Sequence, residues 1–411
     1  MPLVPPLAVL VVAAALLAVR RVRGRTFPAW AVALAGALVV VATGGISPGG
    51  AVAAIDWGVI ATLAALFVVG AGLGRSRLAD EALAQLDRLP LSTPVLGALL
   101  LGIAVLAALV TNDAVAVVGT PFLVRLARHR GLPPEPLLLL LMAGITTGAV
   151  PSPLGSPQNL LIAASPVLEA PFTAFLVDLG PPTLAGLAAV LVLFRLACPS
   201  VIGASAASSA AVPRHDDGGR HRDLPLLLSL LVLGALVLAG IATGLGGGLP
   251  PLQPFVVALA AAAPLLLFGR DRRGLVAGVD WRTLLLFSGL FVMTAAVRSS
   301  GLVEASFGSA GSTAVVMAAA VVGSQVVSNV PLVAIALPFV EPHGASALLA
   351  LAAGSTIAGH LTILGAASNL IVLESAERMG ATVSVRAFVR FGLPLVLVQG
   401  LCYWLWLALA G

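Results

Sequence analysis

Thr111-Asn112-Asp113, a polar triplet between apolar runs, opens a stretch that continues through Pro121-Phe122 and Ala143-Gly144-Ile145-Thr146-Thr147-Gly148 to Leu154-Gly155-Ser156-Pro157-Gln158-Asn159-Leu160. The chain carries this stretch twice. At an offset of 217 residues, Ser328-Asn329 falls on Thr111-Asn112 and Pro338-Phe339 on Pro121-Phe122. At an offset of 210, Ala353-Gly354, Thr356, Leu364-Gly365 and Asn369-Leu370 fall on Ala143-Gly144, Thr146, Leu154-Gly155 and Asn159-Leu160. Unrelated apolar segments share Leu, Ala and Val by chance, but not Asn, Gly, Pro and Thr in order. The chain reads as an internal duplication whose polar residues gather where the copies agree.

Around this stretch the chain is too apolar to cover itself for water. Of 411 residues 59% are hydrophobic and 9% charged, with a mean hydropathy of +1.10, against about 25% charged in ordinary soluble domains. A helical span needs roughly 20 apolar residues and a barrel strand about 10 in alternation. The apolar runs here are continuous. The expected fold is an all-α polytopic membrane protein. Cys198 and Cys402 are too few and too far apart for a disulfide or metal framework.

All 22 basic residues are arginines. In short loops between spans they act as determinants of orientation rather than as a nucleic-acid surface. Leu3 to Val19 precedes Arg20, Arg21, Arg23 and Arg25, the wrong order for a secretory signal, and is read as a first span. Two further runs, Ala29 to Gly44 and Ile55 to Leu73, lead to the triplet. Leu96 to Val110 and Ala114 to Leu126 are short for full spans and have arginines on both flanks, which predicts a re-entrant hairpin with Thr111-Asn112-Asp113 at its tip. Leu137 to Val150 then breaks at Pro151, Pro153 and Pro157, since three prolines in seven residues cannot continue a helix.

The expected organisation is two inverted-topology repeats with about ten transmembrane helices, two re-entrant hairpins and two broken helices. The first repeat is residues 1–197, with a hairpin at about 94–127 and a broken helix at about 137–164. Residues 198–223 are a cytoplasmic linker. The second repeat is 224–411, with a hairpin at about 311–341 and a broken helix at about 345–374. This map leaves 21 of the 22 arginines on one side, with only Arg298 opposite and both termini outside.

Non-helical backbone at membrane depth leaves N–H and C=O groups without water and persists where it lines a cavity or binds something. Paired interruptions in opposed halves point to the central site of a secondary transporter. Half-helix N-termini offer N–H donors to an anion, and unwound carbonyls with Asn, Ser and Thr oxygens suit a small hard cation such as sodium. The candidate substrate- and ion-binding residues are Thr111, Asn112, Asp113, Gly155, Ser156, Gln158, Asn159, Ser328, Asn329, Gly365, Ser368 and Asn369. Asp113 is the one acid expected near mid-depth, with Val330 at the matching position, so charge enters from one half. Against these roles stand helix capping by Asn112 and Asn329 and simple flexibility at the Gly155 and Gly365 breaks. His360 either meets a substrate or titrates, or is a packed histidine.

Other chemistries fit less well. Gly45-Ile46-Ser47-Pro48-Gly49 matches a nucleophile elbow but lacks the strand-turn-helix setting and reads as a loop. The run Arg214 to Asp223 matches no metal-ligand spacing. No nucleotide-binding loop, metalloprotease motif or nucleophile–base pair is spaced for catalysis. No enzyme activity, catalytic residue or cofactor is expected.

The tips and breaks resemble those of the ion transporter superfamily, which joins divalent-anion/sodium symporters, arsenical-efflux permeases and a class of sodium/proton antiporters. Symporter tips read Ser-Asn-Thr, beside Thr111-Asn112-Asp113 and Ser328-Asn329-Val330 here. Their first break reads Gly-Thr-Pro-Pro-Asn, similar to Gly155-Ser156-Pro157-Gln158-Asn159. Asn112-Asp113 and Pro157-Gln158-Asn159 look more like the arsenical permeases and uncharacterised anion permeases. The resemblance implies a homodimer in the cell membrane. Each protomer would have a mobile domain holding both hairpins and would carry substrate by an elevator-type movement. With no arginine expected at the site, the substrate is a small anion or oxyacid held by backbone and amide donors, with sodium or a proton as coupling ion. A sodium/proton antiporter titrating at Asp113 is the alternative, and an ion channel the alternative of another class.

Overall fold

The computed structural model describes residues 21–22, 25–26, 28–86, 88–204, 224–246, 250–299 and 312–410. The proposed first span, Leu3 to Val19, and the Arg214 to Asp223 run lie outside them, as does the side chain of Arg298. Apart from a two-residue antiparallel pairing of Arg21–Val22 with Arg25–Thr26, the described residues are helices, short 3-10 turns and connections. The protein is a polytopic helical membrane protein.

The first half contains α1 (Ala29–Ala42), α2 (Pro48–Ala54), α3 (Trp57–Gly74) and α4 (Leu78–Leu86). It continues with α5 (Thr93–Val110), α6 (Asn112–His129), α7 (Glu135–Ala149), α8 (Pro157–Ala163) and α9 (Pro171–Ala197). The second half contains α10 (Leu224–Gly244), α11 (Pro254–Phe268), α12 (Arg272–Ala277) and α13 (Trp281–Ser299). After it come α14 (Thr313–Val327), α15 (Asn329–Val340), α16 (Ala345–Ile357), α17 (Ala367–Arg378) and α18 (Val385–Ala410). Among the described residues α3, α5, α9, α10 and α18 are each long and apolar enough to cross a membrane, and shorter apolar helices accompany them.

Small polar residues start several of these helices, because an oxygen at the N-cap satisfies an otherwise orphaned N–H. Asp56 accepts from Val59 N at 3.0 Å, and Ser312 from Val315 N at 3.3 Å. Ser47 accepts from Gly50 N at 3.0 Å and starts α2, so the Gly45–Gly49 segment is a helix entry and not only a loop. Pro48 follows in the first turn of α2, where its missing N–H is one the helix could not have bonded anyway.

The packing pairs the two halves. α1 lies on α13 and, reciprocally, α3 on α11. α5 packs on α7 as α14 packs on α16, and α9 packs on α18 across the middle. The correspondence extends to single atoms. A methyl group added at Gly144 would meet Leu100 and Ile103 at 2.9 Å, and one at Gly354 would meet Met317 O at 2.6 Å and Ala320 Cβ at 3.0 Å. Met317 and Ala320 are the 217-residue counterparts of Leu100 and Ile103, so the glycine seat on the first hairpin arm is duplicated.

Each hairpin turns at one residue. α5 and α6 share Thr111 as C-cap and N-cap, and α14 and α15 share Ser328. Both arms of each pair pack on the same short helix, α7 or α16, so the chain doubles back. The arms of the first hairpin are 18 residues each, longer than the apolar runs suggest. Asn112 and Asp113 do not interrupt the helix; they form the first turn of α6. Shortness is therefore not what makes this a hairpin; the one-residue reversal at Thr111 is.

Candidate functional site

Among the described residues only Thr111 (φ 110°) and Ser328 (φ 71°) are non-glycine residues with positive φ. Such backbone costs on the order of 1–3 kcal/mol and persists where surrounding structure holds it. The two outliers are the two tips, which places strain at duplicated positions.

The first tip is tied to the first break. Asn112 N donates to Gly155 O at 2.8 Å. Thr111 Oγ1 accepts from Ala114 N at 3.3 Å, and Asn112 Oδ1 accepts from Asp113 N at 2.8 Å. Thr111 is thus the cap, and Asn112 sits one residue inside the helix. Asn112 is buried, while Asp113 is partly exposed. Among the described residues no donor lies within hydrogen-bonding distance of the Asp113 carboxylate.

The break between α7 and α8 covers residues 150–156. Ser156 Oγ accepts from Asn159 N at 3.4 Å and caps α8. Asn159 Nδ2 donates to Ala149 O and Ser152 O at 3.0 Å each, and more weakly to Val150 O at 3.4 Å. One amide thereby gathers the carbonyls that the prolines leave open. A Cβ at Gly155 would fall 2.2 Å from Ala149 O, so only glycine fits this turn.

The second break repeats part of this design. Asn369 Nδ2 donates to Gly359 O at 2.6 Å, and Gly359 is the counterpart of Ala149. The tip is held differently. Gln325, in the last turns of α14, donates from Nε2 to Ala358 O at 2.9 Å, and its Oε1 accepts from Thr362 Oγ1 at 2.7 Å.

The two breaks meet. Thr356 Oγ1 donates to Asn159 Oδ1 at 3.2 Å, with Gln158 Nε2 3.5 Å from the same hydroxyl. Thr147 Oγ1 lies 3.2 Å from His360 Nε2 and accepts from Gln399 Nε2 of α18 at 2.9 Å. His360 is buried and has a protein partner, which accounts for its packing. Thr146 Oγ1, Asn329 Oδ1 and Ser368 Oγ are buried without a partner among the described residues. These neutral oxygens can take an ion or a donor group.

Sequence reasoning missed Thr147, Thr356, Gln325 and Gln399 as members of this network. Thr356 repeats Thr146 in the duplication, and Gln325 and Gln399 are lone amides within apolar runs, which are the signals that mark them.

A family model described as citrate transporter matches residues 9–343, which includes both hairpins and the first broken helix. Silicon efflux transporter LSI3 of Oryza sativa subsp. japonica is 29% identical over 439 residues, with 89% of each chain covered. The uncharacterized transporter Rv2685 of Mycobacterium tuberculosis is 27% identical over 363 residues, covering 83% of each chain. Among solved structures, the Alcanivorax borkumensis YdaH transporter, described as having an unusual topology, superposes with a TM-score of 0.60 over 99% of both chains at 16% identity. That likeness concerns the fold alone.

Proposed function

The chain belongs to the citrate transporter family, and on that premise we propose that it is an ion-coupled secondary transporter of a small anion or oxyacid. The observation that carries this reading is the duplicated pair of strained tips, Thr111 and Ser328, seated beside two helix breaks that meet through Thr356 and Asn159. Buried neutral oxygens at Thr146, Asn329 and Ser368 suit a desolvated cation or the hydroxyls of an oxyacid. The N-termini of α6 and α15 add N–H donors for negative charge.

The relatives' names support the substrate class: citrate is a carboxylate, and silicon is held in water as an oxyacid. None of the hydrogen bonds described for the site residues comes from an arginine, in keeping with recognition by amide and backbone groups. Asp113, whose carboxylate receives no hydrogen bond among the described residues, is the coupling residue in this reading, with sodium or a proton as coupling ion. The two hairpins move with the broken helices as an elevator-type unit within a homodimer in the cell membrane. Both chain ends lie outside.

The test is thermal stability of the purified protein against a panel of anions, with and without sodium, from about pH 5 to 8. A ligand at 100 times its dissociation constant that binds only the folded state stabilises by about 2.7 kcal/mol. Sodium-dependent anion stabilisation supports a sodium symporter. Anion stabilisation that follows pH, ignores sodium and disappears in Asp113→Asn supports proton coupling. Stabilisation by sodium alone would replace the anion reading with a sodium/proton antiporter.

A further inference from the structure

The corner joining α11 to α13, which packs on α3 through Gly278 and Ala71, gathers more arginines than acids beside exposed apolar surface. It carries Arg270, Arg272 and Arg273, all exposed, with Arg282 in the first turn of α13. Leu267, Phe268, Val276 and Trp281 stand 61%, 67%, 44% and 55% exposed around them. Two adjoining shallow clefts, both wide open to the surroundings, share Arg272 and Arg273. Val276 and Trp281 line the first, and Phe268, Arg270 and Asp271 the second.

The local acids are already engaged. Asp271 Oδ1 accepts from Gly274 N at 2.9 Å, capping α12, and its Oδ2 lies 3.9 Å from Arg75 Nε. Asp280 accepts from the N–H groups of Arg282 and Thr283 and from Thr283 Oγ1, at 3.1, 3.3 and 2.6 Å. Arg272 donates to Leu267 O and Gly269 O at the end of α11. Arg270 and Arg273 have no acceptor among the described residues. An arginine that only sets orientation needs no cleft and no aromatic neighbour. Here two such arginines border shallow clefts beside Phe268 and Trp281, at the ends of two apolar helices.

We propose that this corner binds an anionic phospholipid, its headgroup phosphate held by Arg270 and Arg273 and its glycerol and upper chains laid against Phe268 and Trp281. Positive charge selects a headgroup with net negative charge over a zwitterionic one, whose ammonium offsets its phosphate. The apolar wall selects a lipid over a free anion.

The test is native mass spectrometry of the full chain released from detergent containing equimolar phosphatidylglycerol and phosphatidylcholine. The wild type is expected to retain phosphatidylglycerol preferentially. The double variant Arg270→Gln/Arg273→Gln should lower that preference on the order of tenfold, as expected for two arginines at a membrane surface. Arg282→Gln, outside both clefts, should leave it in place. An equal loss in Arg282→Gln overturns the site in favour of diffuse surface charge. Displacement by low-millimolar inorganic phosphate overturns the lipid in favour of a soluble anion. Should the double variant not purify, the wild-type ratio decides, and a value near one overturns the proposal.

Discussion

Asn159 and Asn369 occupy matching positions, yet their side chains carry different loads. Asn159 gathers two carbonyls at 3.0 Å and a third at 3.4 Å, and its Oδ1 receives Thr356. Asn369 makes one such bond, to Gly359 O. Buried polar groups left without partners cost about 1–3 kcal/mol each. Asn159→Ala should therefore destabilise the protein by about 3–5 kcal/mol and Asn369→Ala by about 1–2 kcal/mol. Apparent melting temperatures in detergent check the order; equal shifts would mean that the first amide does not hold the break. The sequence marks both asparagines as duplicated, but it cannot tell a ligand from a brace. That distinction lies in where Nδ2 points.

At the scale of elements, the breaks are readable because proline and glycine are local in their effect. Pro151 and Pro153 cannot continue the helix before them and Pro157 suits only the first turn of the next, and the triplet at 111–113 is conspicuous among apolar neighbours. Helix lengths are less readable. Asn112 and Asp113 look like an interruption, yet they begin α6, since N-terminal positions welcome polar residues. The short helices α2, α4 and α12 escaped notice because they lie in the connections between apolar runs. The first break also has a stringent local test. A methyl at Gly155 would meet three backbone atoms of Ala149 at 2.2–2.8 Å, none of which can rotate away. Because Gly155 O also receives Asn112 N, any shift moves the tip. Gly155→Ala should cost about 1–3 kcal/mol of stability and lower uptake in proteoliposomes by up to about a hundredfold, the scale set by a misplacement of roughly 1 Å at a site. Gly102→Ala, with nothing within 4 Å, is the matched control and should leave uptake unchanged.

At the scale of the whole molecule, the two halves are interlocked rather than adjacent. α6, from the first hairpin, packs on α17 of the second broken helix, and α15, from the second hairpin, packs on α8 of the first. Each crossing is pinned at its end. Arg128 donates to Met379 O beside α17, and Ser165 Oγ donates to Glu341 Oε1 at 2.6 Å beside α8. Thr183 and Tyr403, 2.6 Å apart, join α9 to α18 between them. A half on its own would leave these faces unmatched, with the carbonyls and hydroxyls of its break exposed to lipid. A cut in the connection between the halves removes none of these contacts. Residues 1–204 expressed alone should be degraded or aggregate. The same segment expressed together with 224–411 should give a complex that co-purifies and retains uptake. A first half that is stable and monodisperse alone would show that the crossings contribute little, and that each repeat forms its hairpin and broken helix by itself.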